Sequence, residues 1–480
     1  MGTKEKPDIL LFISDQHHAH YMGCAGHELV RTPWLDQLAS EGTMLCNAYT
    51  ASPLCVPSRV ALLTGLLPSH TGVFTNEGAI ATDHATFLHS IAAEGYDTVL
   101  CGRMHFMGED QRHGFTKRIM GEMTPLFWGR YGPARNDLGP YVGTMANDSL
   151  KIVGGGTSPV LEYDKAVIQA ALEYLQADHA KPQCIVVGTY GPHHTYVSPP
   201  HLYQYYKQAA SVPDTFTEVL EHPVLATMKK AELTREVLEK LRAAYLGMVE
   251  TMDSQLGEVR TAWQHYLQRT GRKGLFVYMS DHGEQAGEHG LIGKSTFYEG
   301  SAKIPVIVVG DHVPQGKRLE QPTSILDIGP TLCDWIHAEA PPRQDGISLK
   351  AQIVDTAQAE SRIIISESLQ LVGGQAVAGI MLRQAGWKFI AYAGFEAYNQ
   401  LFQVNEDPQE RHNRYSEQPE LVQQFEQYLK EHWNAEAIVE ICRQRREHHA
   451  LLAKWGRNVD VVETERWVVP EHAKVLPIVQ

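Results

Sequence analysis

Residues 8–16 of the 480-residue chain have the sequence DILLFISDQ, in which a continuous apolar run ends in an acid and an amide. Similar apolar runs recur along the chain at 97–101, 184–189, 275–280 and 304–310. Continuous hydrophobicity is typical of strands buried on both faces of a parallel sheet. Helical patterns separate these runs, among them 32–42, 164–177 and 234–269. The alternation predicts an α/β fold with a large mixed, mostly parallel sheet between layers of helices.

The composition limits the class of protein. Hydrophobic residues make up 43% of the chain and charged residues 20%, which is typical of globular proteins and excludes collagen-like and wholly disordered chains. We expect no membrane partner, because the sequence has no run of about 18 apolar residues. The formal net charge of −14 also argues against general binding to nucleic acid or to anionic membranes.

The cysteine pattern bears on the cellular compartment. The chain has seven cysteines and no CxxC pair. An odd, sparse set of this kind favours a reducing compartment over a disulfide framework. The apolar stretch near the N-terminus is too short for a signal peptide. We therefore expect a cytoplasmic protein.

The pattern of predicted elements changes after about residue 370. Short strand patterns at 376–383, 387–393 and 399–404, followed by an amphipathic segment at 420–433, predict a small antiparallel sheet with one helix. The expected organisation is a catalytic α/β domain over 1–370, a small α+β subdomain over 371–440 and a tail over 441–480. A tail of this kind wraps the surface or contacts a second subunit, and we expect a homo-oligomer.

Chemically active side chains follow four of the predicted strands. They are Asp15-Gln16, the GRMH segment at 102–105, His193-His194 and Asp281-His282. Ligands of open α/β sheets bind beyond the carboxyl ends of the strands, so these groups are expected to meet at one edge. Oxygen donors with one imidazole suit Ca²⁺, Mg²⁺ or Mn²⁺. For Gln16 alone, an ordinary hydrogen-bonded loop amide is an equally good interpretation.

A second chemical centre is the sequence SPLCVPSR at 52–59, which precedes a predicted helix. Cys55 would lie beside the positive end of that helix, and Arg59 follows four residues later. Both features favour an anion at Cys55. The alternative is a buried free cysteine that has no role in chemistry.

The CVPSR segment at 55–59 resembles the C-x-P-S-R signature of the formylglycine-dependent sulfatases, in the alkaline phosphatase superfamily. TPWLDQLASEG, SPLCVPSRVALLTG, YDTVLCGRMHFMG and YMSDHGEQAGEHGLIGKSTFYEG follow in the order of that family, over most of 8–350. The Asp-Gln and Asp-His pairs are most similar to those of the choline sulfatase and phosphonate monoester hydrolase group. The resemblance implies an alkaline-phosphatase-like fold.

The resemblance also implies a cofactor and a modification. In that family the cysteine is oxidised to formylglycine by a maturase, and the hydrate of formylglycine is the nucleophile. Here the hydrate derived from Cys55 would bind one divalent ion together with Asp15, Gln16, Asp281 and His282. Ca²⁺ or Mn²⁺ is the expected ion, and Mg²⁺ is a further candidate.

Further catalytic roles follow from the resemblance. Arg59 would hold the geometry of the nucleophile and the metal site, and Lys294 would neutralise charge on the sulfuryl oxygens. His193 matches the acid that protonates the leaving group, and the adjacent His194 is the alternative and otherwise a substrate contact. His105 matches the histidine that helps to release sulfate.

Substrate contacts are expected from two places. Arg103 stands where the family has a sulfate-binding lysine, and it can also pair with an anion. The segment 121–137 is the expected selector of the alcohol. Its aromatic and basic side chains suggest a wall suited to a carbohydrate or an anionic alcohol: Phe127, Trp128, Arg130, Tyr131 and Arg135.

The predicted reaction is the hydrolysis of a small-molecule or carbohydrate sulfate ester to an alcohol and inorganic sulfate. A phosphonate monoester or phosphodiester hydrolase is the alternative enzyme, because both substrate types present a monoanionic tetrahedral centre to the same metal site. A protein that binds a metal or an anion, with Cys55 as an unmodified thiol, is the alternative without catalysis.

Overall fold

The computed structural model describes residues 6–130, 136–145, 148–355, 362–459 and 461–479. The strands are β1 (Asp8–Asp15), β2 (Thr43–Leu45), β3 (Ala48–Tyr49), β4 (Asp97–Gly102), β5 (Lys117–Met120), β6 (Val153–Gly155), β7 (Gln183–Pro192), β8 (Tyr196–Ser198), β9 (Gly274–Ser280), β10 (Lys303–Ile304), β11 (Val306–Gly310), β12 (Lys317–Leu319), β13 (Thr323–Ser324), β14 (Ile364–Val372), β15 (Gln375–Gln384), β16 (Trp387–Tyr392) and β17 (Gln400–Gln403). The helices are α1 (Pro33–Glu41), α2 (Cys55–Thr64), α3 (Pro68–Thr71), α4 (Phe87–Ala93), α5 (Pro159–Gln176), α6 (Pro200–Lys207), α7 (Pro223–Ala226), α8 (Arg235–Thr270), α9 (Glu299–Ala302), α10 (Ile328–Ile336), α11 (Lys350–Val354), α12 (Pro419–His432) and α13 (Ala435–Asn458).

The main sheet has β1 near its centre. Within the described ranges it contains eight strands in the order β12-β2-β11-β9-β1-β7-β4-β5. Strand β1 pairs in parallel with β7 and β9, and β4 pairs in parallel with β7 and β5. Strand β11 runs antiparallel to β9 and to β2. The predicted mixed, mostly parallel sheet is therefore confirmed.

Helices cover both faces of this sheet. Alternate side chains of β1 point to opposite layers, as the period of a strand requires. Ile9, Leu11 and Ile13 pack with α2, α4 and α10, whereas Leu10 and Phe12 pack with α1, α5 and α8. All residues of β1 and β9 are buried, which explains their continuous hydrophobicity.

The long helix α8 is continuous. It runs for 36 residues and passes through Gly247 without a break. A Cβ atom at Gly247 would lie 2.5 Å from Ser198 Oγ. Gly247 is therefore explained by the close approach of α8 to β8, and it does not mark a helix end.

The C-terminal region forms a second, antiparallel sheet in the order β14-β15-β16-β17. Helix α12 packs on it through Phe425, which stacks on Phe389 with ring centroids 5.5 Å apart. Strand β14 begins at Ile364, so the boundary expected at residue 370 falls inside a strand. The predicted small antiparallel sheet is confirmed, with one strand more than the sequence suggested.

The tail wraps the catalytic region. Helix α13 begins at Ala435, inside the expected subdomain, and packs through Ile438 and Cys442 against Phe74 and Ala378. After α13, the backbone of Arg466 forms an isolated parallel β-bridge with Glu122, and that of Val479 forms an antiparallel β-bridge with Gly155. A contact with a second subunit stays a prediction. None of the helices in the described part of the chain has the length and hydropathy of a membrane span.

Candidate functional site

The carboxyl ends of β1 and β9 meet the first residue of α2. Cys55 Sγ lies 3.2 Å from His282 Nε2 and 3.8 Å from Asp15 Oδ1. Asp15, Cys55, Asp281 and His282 each present one ligand atom, and all of these atoms lie within 4.8 Å of one another. The four side chains are buried. The structure thus brings together the residues that two separate sequence motifs predicted.

Helix α2 fixes the position of Cys55. Pro57 lies in the first turn, where an N–H group has no partner within the helix, so its missing N–H breaks no helical bond. Val56 N donates to Asn76 Oδ1 at 3.0 Å, and Ser58 Oγ donates to the backbone oxygen of Asp281 at 2.6 Å. These bonds hold Cys55 against the end of β9.

Arg59 joins the two acidic side chains. Its Nη2 donates to Asp15 Oδ2 and its Nε to Asp281 Oδ2, each at 2.9 Å. All three side chains are buried, so the guanidinium offsets a repulsion that water does not screen. Burial alone would raise the pKa of Asp15, but Arg103 and Arg59 hold that pKa well below its ordinary value. Burial raises the pKa of Asp281.

The amide of Gln16 has a fixed orientation. Its Nε2 donates to a carboxylate oxygen of Glu284 and lies 3.2 Å from His194 Nδ1. Because a carboxylate only accepts hydrogen bonds, the amide nitrogen of Gln16 faces Glu284 and Oε1 points away from Glu284. Gln16 Oε1 is buried, and among the described residues it has no hydrogen-bond partner. A buried oxygen of this kind is a fitting ligand for a cation.

Glu284 was not singled out from the sequence, although it lies in the SDHGEQ segment, three residues after Asp281. It is fully buried and also accepts from Tyr196 Oη at 3.0 Å, from Ala286 N at 2.9 Å and from Gly293 N at 2.5 Å. Every partner of this carboxylate is a donor. Glu284 therefore sets the orientation of Gln16.

His282 has the tautomer that a cation requires. Its Nδ1 donates to the backbone oxygen of Gly283 at 3.0 Å, which leaves the Nε2 lone pair toward Cys55 and the two acids. Two carboxylates, one amide oxygen and one imidazole fit a hard or borderline divalent ion. Asp15, Gln16, Asp281 and His282 would hold it, with an oxygen derived from Cys55 as a further ligand.

The predicted catalytic residues converge on Cys55. Lys294 Nζ donates to its sulfur at 2.9 Å, and His105 and His193 also form hydrogen bonds with it. Burial opposes ionisation of the thiol, but Lys294 and His282 hold the pKa of Cys55 well below its ordinary value. The centre is therefore built to carry a negative charge at the position of the Cys55 side chain.

The two adjacent histidines are engaged differently. His193 Nδ1 donates to the backbone oxygen of His194 at 2.6 Å, so Nε2 is the atom available to Cys55 and to a substrate. His194 Nδ1 accepts from Gln16 Nε2. Burial and the neighbouring His193 hold the pKa of His194 well below its ordinary value, so it stays neutral. Burial and Lys294 lower the pKa of His193 as well, but His193 contacts Cys55 directly, so a proton on its Nε2 would lie at the reaction centre.

Arg103 forms several hydrogen bonds within the protein, so its role is not limited to a substrate contact. Its Nε donates to Asp15 Oδ2 at 2.7 Å, and its Nη1 donates to Glu122 Oε1 at 3.2 Å. Its Nη2 donates to His105 Nδ1 at 2.9 Å, which leaves Nε2 of that histidine toward Cys55. Glu122 also accepts from His105 N at 3.0 Å. No local pattern marks Glu122, because this contact depends on the tertiary fold.

Comparison with known proteins decides the family. The model of the family described as "Sulfatase" matches residues 7–338. The chain belongs to the sulfatase family. A second model, described as "N-sulphoglucosamine sulphohydrolase, C-terminal", matches residues 287–436 of this sulfatase. The protein is accordingly a sulfuric ester hydrolase.

Named relatives extend the match over nearly the whole sulfatase. It is 28% identical over 485 residues to a choline-sulfatase of Rhizobium meliloti, covering 95% of this chain and 92% of that protein. It is 27% identical over 502 residues to arylsulfatase K of Mus musculus, covering 97% and 87%.

Solved structures share the fold. A phosphonate monoester hydrolase of Agrobacterium radiobacter has a TM-score of 0.72 and 21% identity, covering 89% of this chain and 95% of that one. A protein solved in complex with its substrate D-glucosamine-2-N,6-O-disulfate has a TM-score of 0.71 and 20% identity, covering 89% and 98%.

The cavity above Cys55 has a volume of about 360 Å³. Of the expected selector segment, Thr124 lines it, but Trp128 and Arg130 do not. Trp128 Nε1 donates to the backbone oxygen of Glu77 at 2.7 Å, and Arg130 Nη2 donates to that of Val459 at 3.2 Å. The expected wall is wrong for these two residues, because α13 and the chain after it cover them.

Phe127 does not contribute to the expected wall either. Phe127 is buried and lies edge-on to Trp455 of α13, with ring centroids 6.0 Å apart. Tyr131 and Arg135 lie outside the described residues. Among the described residues, the cavity is also lined by Met145, Ser149 and Lys230, which the sequence did not indicate.

Proposed function

We propose that this sulfatase hydrolyses the sulfate monoester of a small molecule or a carbohydrate, with a formylglycine made from Cys55 as its nucleophile and one divalent ion. The observation that carries the proposal is the convergence of Lys294, His105 and His193 on Cys55, beside the buried ligand cluster. When bound, the ion neutralises charge on the sulfuryl group and lowers the pKa of the attacking hydroxyl.

The chain's own residues supply the remaining chemistry. Lys294 and the guanidinium of Arg103 offset the negative charge that collects on the sulfuryl oxygens. To act as the acid, His193 must carry hydrogens on both ring nitrogens: Nδ1 donates to the backbone, and Nε2 gives its proton to the departing alcohol oxygen. His105 Nδ1 accepts from Arg103, so Nε2 of the neutral ring carries the hydrogen and donates it to the oxygen at position 55. The proton that leaves residue 55 when sulfate is released goes to His193 Nε2, which has become free by protonating the alcohol.

The cavity supports a compact substrate. Its volume of about 360 Å³ lies at the lower end of ligand pockets, which run from about 300 to about 1,000 Å³. This space suits one sugar unit or a small alcohol. We propose Ca²⁺ or Mn²⁺ as the ion, with Mg²⁺ as a further candidate, and a formylglycine-generating maturase as a partner. The cytoplasmic location and the homo-oligomer stay predictions.

The test uses full-length protein in which formylglycine at position 55 has been verified by mass spectrometry. The value of kcat/KM is measured for nitrophenyl sulfate, for a nitrophenyl phosphodiester and for a nitrophenyl phosphonate monoester. We expect the sulfate to be the best substrate and Cys55→Ala to abolish turnover while the fold is retained. A higher kcat/KM for the phosphonate or the diester would replace the proposed reaction with that of a phosphonate monoester or phosphodiester hydrolase.

A further inference from the structure

Three cationic side chains among the described residues line the cavity above Cys55. Arg103, Lys230 and Lys294 line it, and none of its lining residues in the described part of the chain is an Asp or a Glu. The whole chain has a net charge of −14, so this concentration of positive charge is a local feature of the site. A cavity of one sign concentrates ligands of the opposite sign.

Two of these cations serve the reaction centre. Lys294 contacts the sulfur of Cys55, and Arg103 contacts Asp15, Glu122 and His105. Lys230 lies apart from them, in the chain segment that precedes α8. The sulfuryl group is thus served by Lys294 and Arg103, and Lys230 is an additional charge on the wall of the same cavity.

The geometry of Lys230 suits a contact with the alcohol part of a substrate. The side chain is half-buried, and its Nζ donates to Oγ of the buried Ser149 at 3.1 Å. Lys230 lines the cavity together with His193 and His194, so it faces the same space as the proposed proton donor.

We propose that Lys230 and Ser149 form an anion subsite that selects sulfate esters whose alcohol carries a second anionic group, either a carboxylate or a further sulfate. This inference rests on the proposed function and narrows its substrate class. The ammonium nitrogen of Lys230 and the hydroxyl of Ser149 would both donate to the second anion. An alcohol that carries a cation, such as choline, would meet Lys230 with the same charge and bind poorly.

We expect Lys230 to raise kcat/KM for dianionic esters by a moderate factor. A hydrogen bond to a charged group contributes to binding on a scale of about 10-fold or more, and partial exposure of Lys230 keeps the effect near the lower end. Two matched pairs of esters isolate it. N-acetylglucosamine 6-sulfate is compared with glucosamine 2-N,6-O-disulfate, and glucose 2-sulfate with glucuronate 2-sulfate. The first pair tests a second sulfate, and the second pair tests a carboxylate.

The experiment measures kcat/KM for these esters and for choline sulfate with formylglycine-containing protein. We expect the dianion of at least one pair to be preferred on the order of 10-fold, and Lys230→Met to remove most of that preference. Lys230→Arg should keep it. The matched control is Lys229→Met, because Lys229 is exposed, contacts the backbone oxygen of Glu218 at 2.9 Å and does not line the cavity. In Lys230→Met, kcat/KM for choline sulfate should rise relative to kcat/KM for the dianions.

Two results would overturn the subsite: no preference for either dianion in the unsubstituted protein, or an equal loss on both members of each pair in Lys230→Met. Calorimetric binding of the same sugars to Cys55→Ala protein gives a readout without turnover. Binding of a dianion that depends on Lys230, in a protein that hydrolyses no sulfate ester, would support the subsite and refute the proposed function. Hydrolysis of nitrophenyl sulfate without such binding would do the reverse.

Discussion

Substitution of Glu284 by Gln tests whether Glu284 sets the orientation of the Gln16 amide at the ion site. The carboxylate accepts from Gln16 Nε2 and Tyr196 Oη on one oxygen, and from Ala286 N and Gly293 N on the other. In Glu284→Gln, one oxygen becomes an NH₂ group, which faces either two backbone N–H donors or the side chains of Gln16 and Tyr196. The second orientation costs less, because the amide of Gln16 can turn and the hydroxyl of Tyr196 can accept. The hydroxyl hydrogen of Tyr196 then loses its buried acceptor, so the free energy of unfolding should fall by about 1–3 kcal/mol.

The effect on the ion is separate from the effect on stability. If the new NH₂ group faces Gln16, the amide of that residue rotates and presents N–H groups in place of Oε1. Loss of such a supporting contact typically lowers metal affinity about 10- to 100-fold. The assay is calorimetric titration of metal-free protein with Ca²⁺ or Mn²⁺, alongside thermal unfolding with and without the ion.

The matched control is Tyr196→Phe, which removes one donor to Glu284 and leaves the bond between Glu284 and Gln16 in place. It should destabilise the fold by about 1 kcal/mol and leave ion affinity unchanged. A folded Glu284→Gln protein that binds the ion as tightly as the unsubstituted protein would refute the reasoning. So would an equal loss of affinity in Tyr196→Phe.

The remaining predictions concern catalysis, the ion and pH. His193→Ala should slow hydrolysis of unactivated alkyl sulfates by roughly 10²–10⁴-fold and of nitrophenyl sulfate much less, because a nitrophenolate leaves without a proton. His194→Ala is the comparison, and equal losses on both esters in His193→Ala would reject this role. Chelation should abolish turnover, and Asp281→Ala should abolish bound metal as measured by elemental analysis; an active metal-free preparation would contradict this. Burial raises the pKa of Asp253 to about 7, so its stabilising contribution is present below about pH 4 and is lost as the pH rises through about 7. Denaturant unfolding of Asp253→Asn should therefore show a weaker decline in stability over that range, and an unchanged slope would exclude Asp253 as its source.

The parts of the site that the sequence predicted depend on local patterns. The buried strand β1 reveals itself by continuous hydrophobicity, and the polar pair after it lies at the sheet edge because the carboxyl ends of parallel strands meet there. Cys55 was found because the first turn of a helix and an arginine four residues later both favour an anion. These signals lie within a few residues of each group.

The parts that the sequence did not predict depend on contacts between distant segments. Glu122 reaches Arg103 and His105 only because β4 and the chain after β5 lie side by side. The aromatic side chain of Trp128 suggested a ligand wall, but it packs against His449 of α13. Strand β14 was missed because polar residues interrupt its apolar pattern at Ser366, Glu367 and Ser368, which are buried by the fold.

The central claim is that turnover depends on conversion of Cys55 to formylglycine. The most direct measurement determines, in the same preparations, the fraction of the tryptic peptide spanning Cys55 that is lighter than the encoded sequence and the rate of sulfate ester hydrolysis. Preparations with different degrees of conversion come from expression with and without a formylglycine-generating maturase. We predict that the rate rises in proportion to the converted fraction and vanishes with it. Full activity in protein that carries only the unmodified thiol at Cys55 would contradict the account.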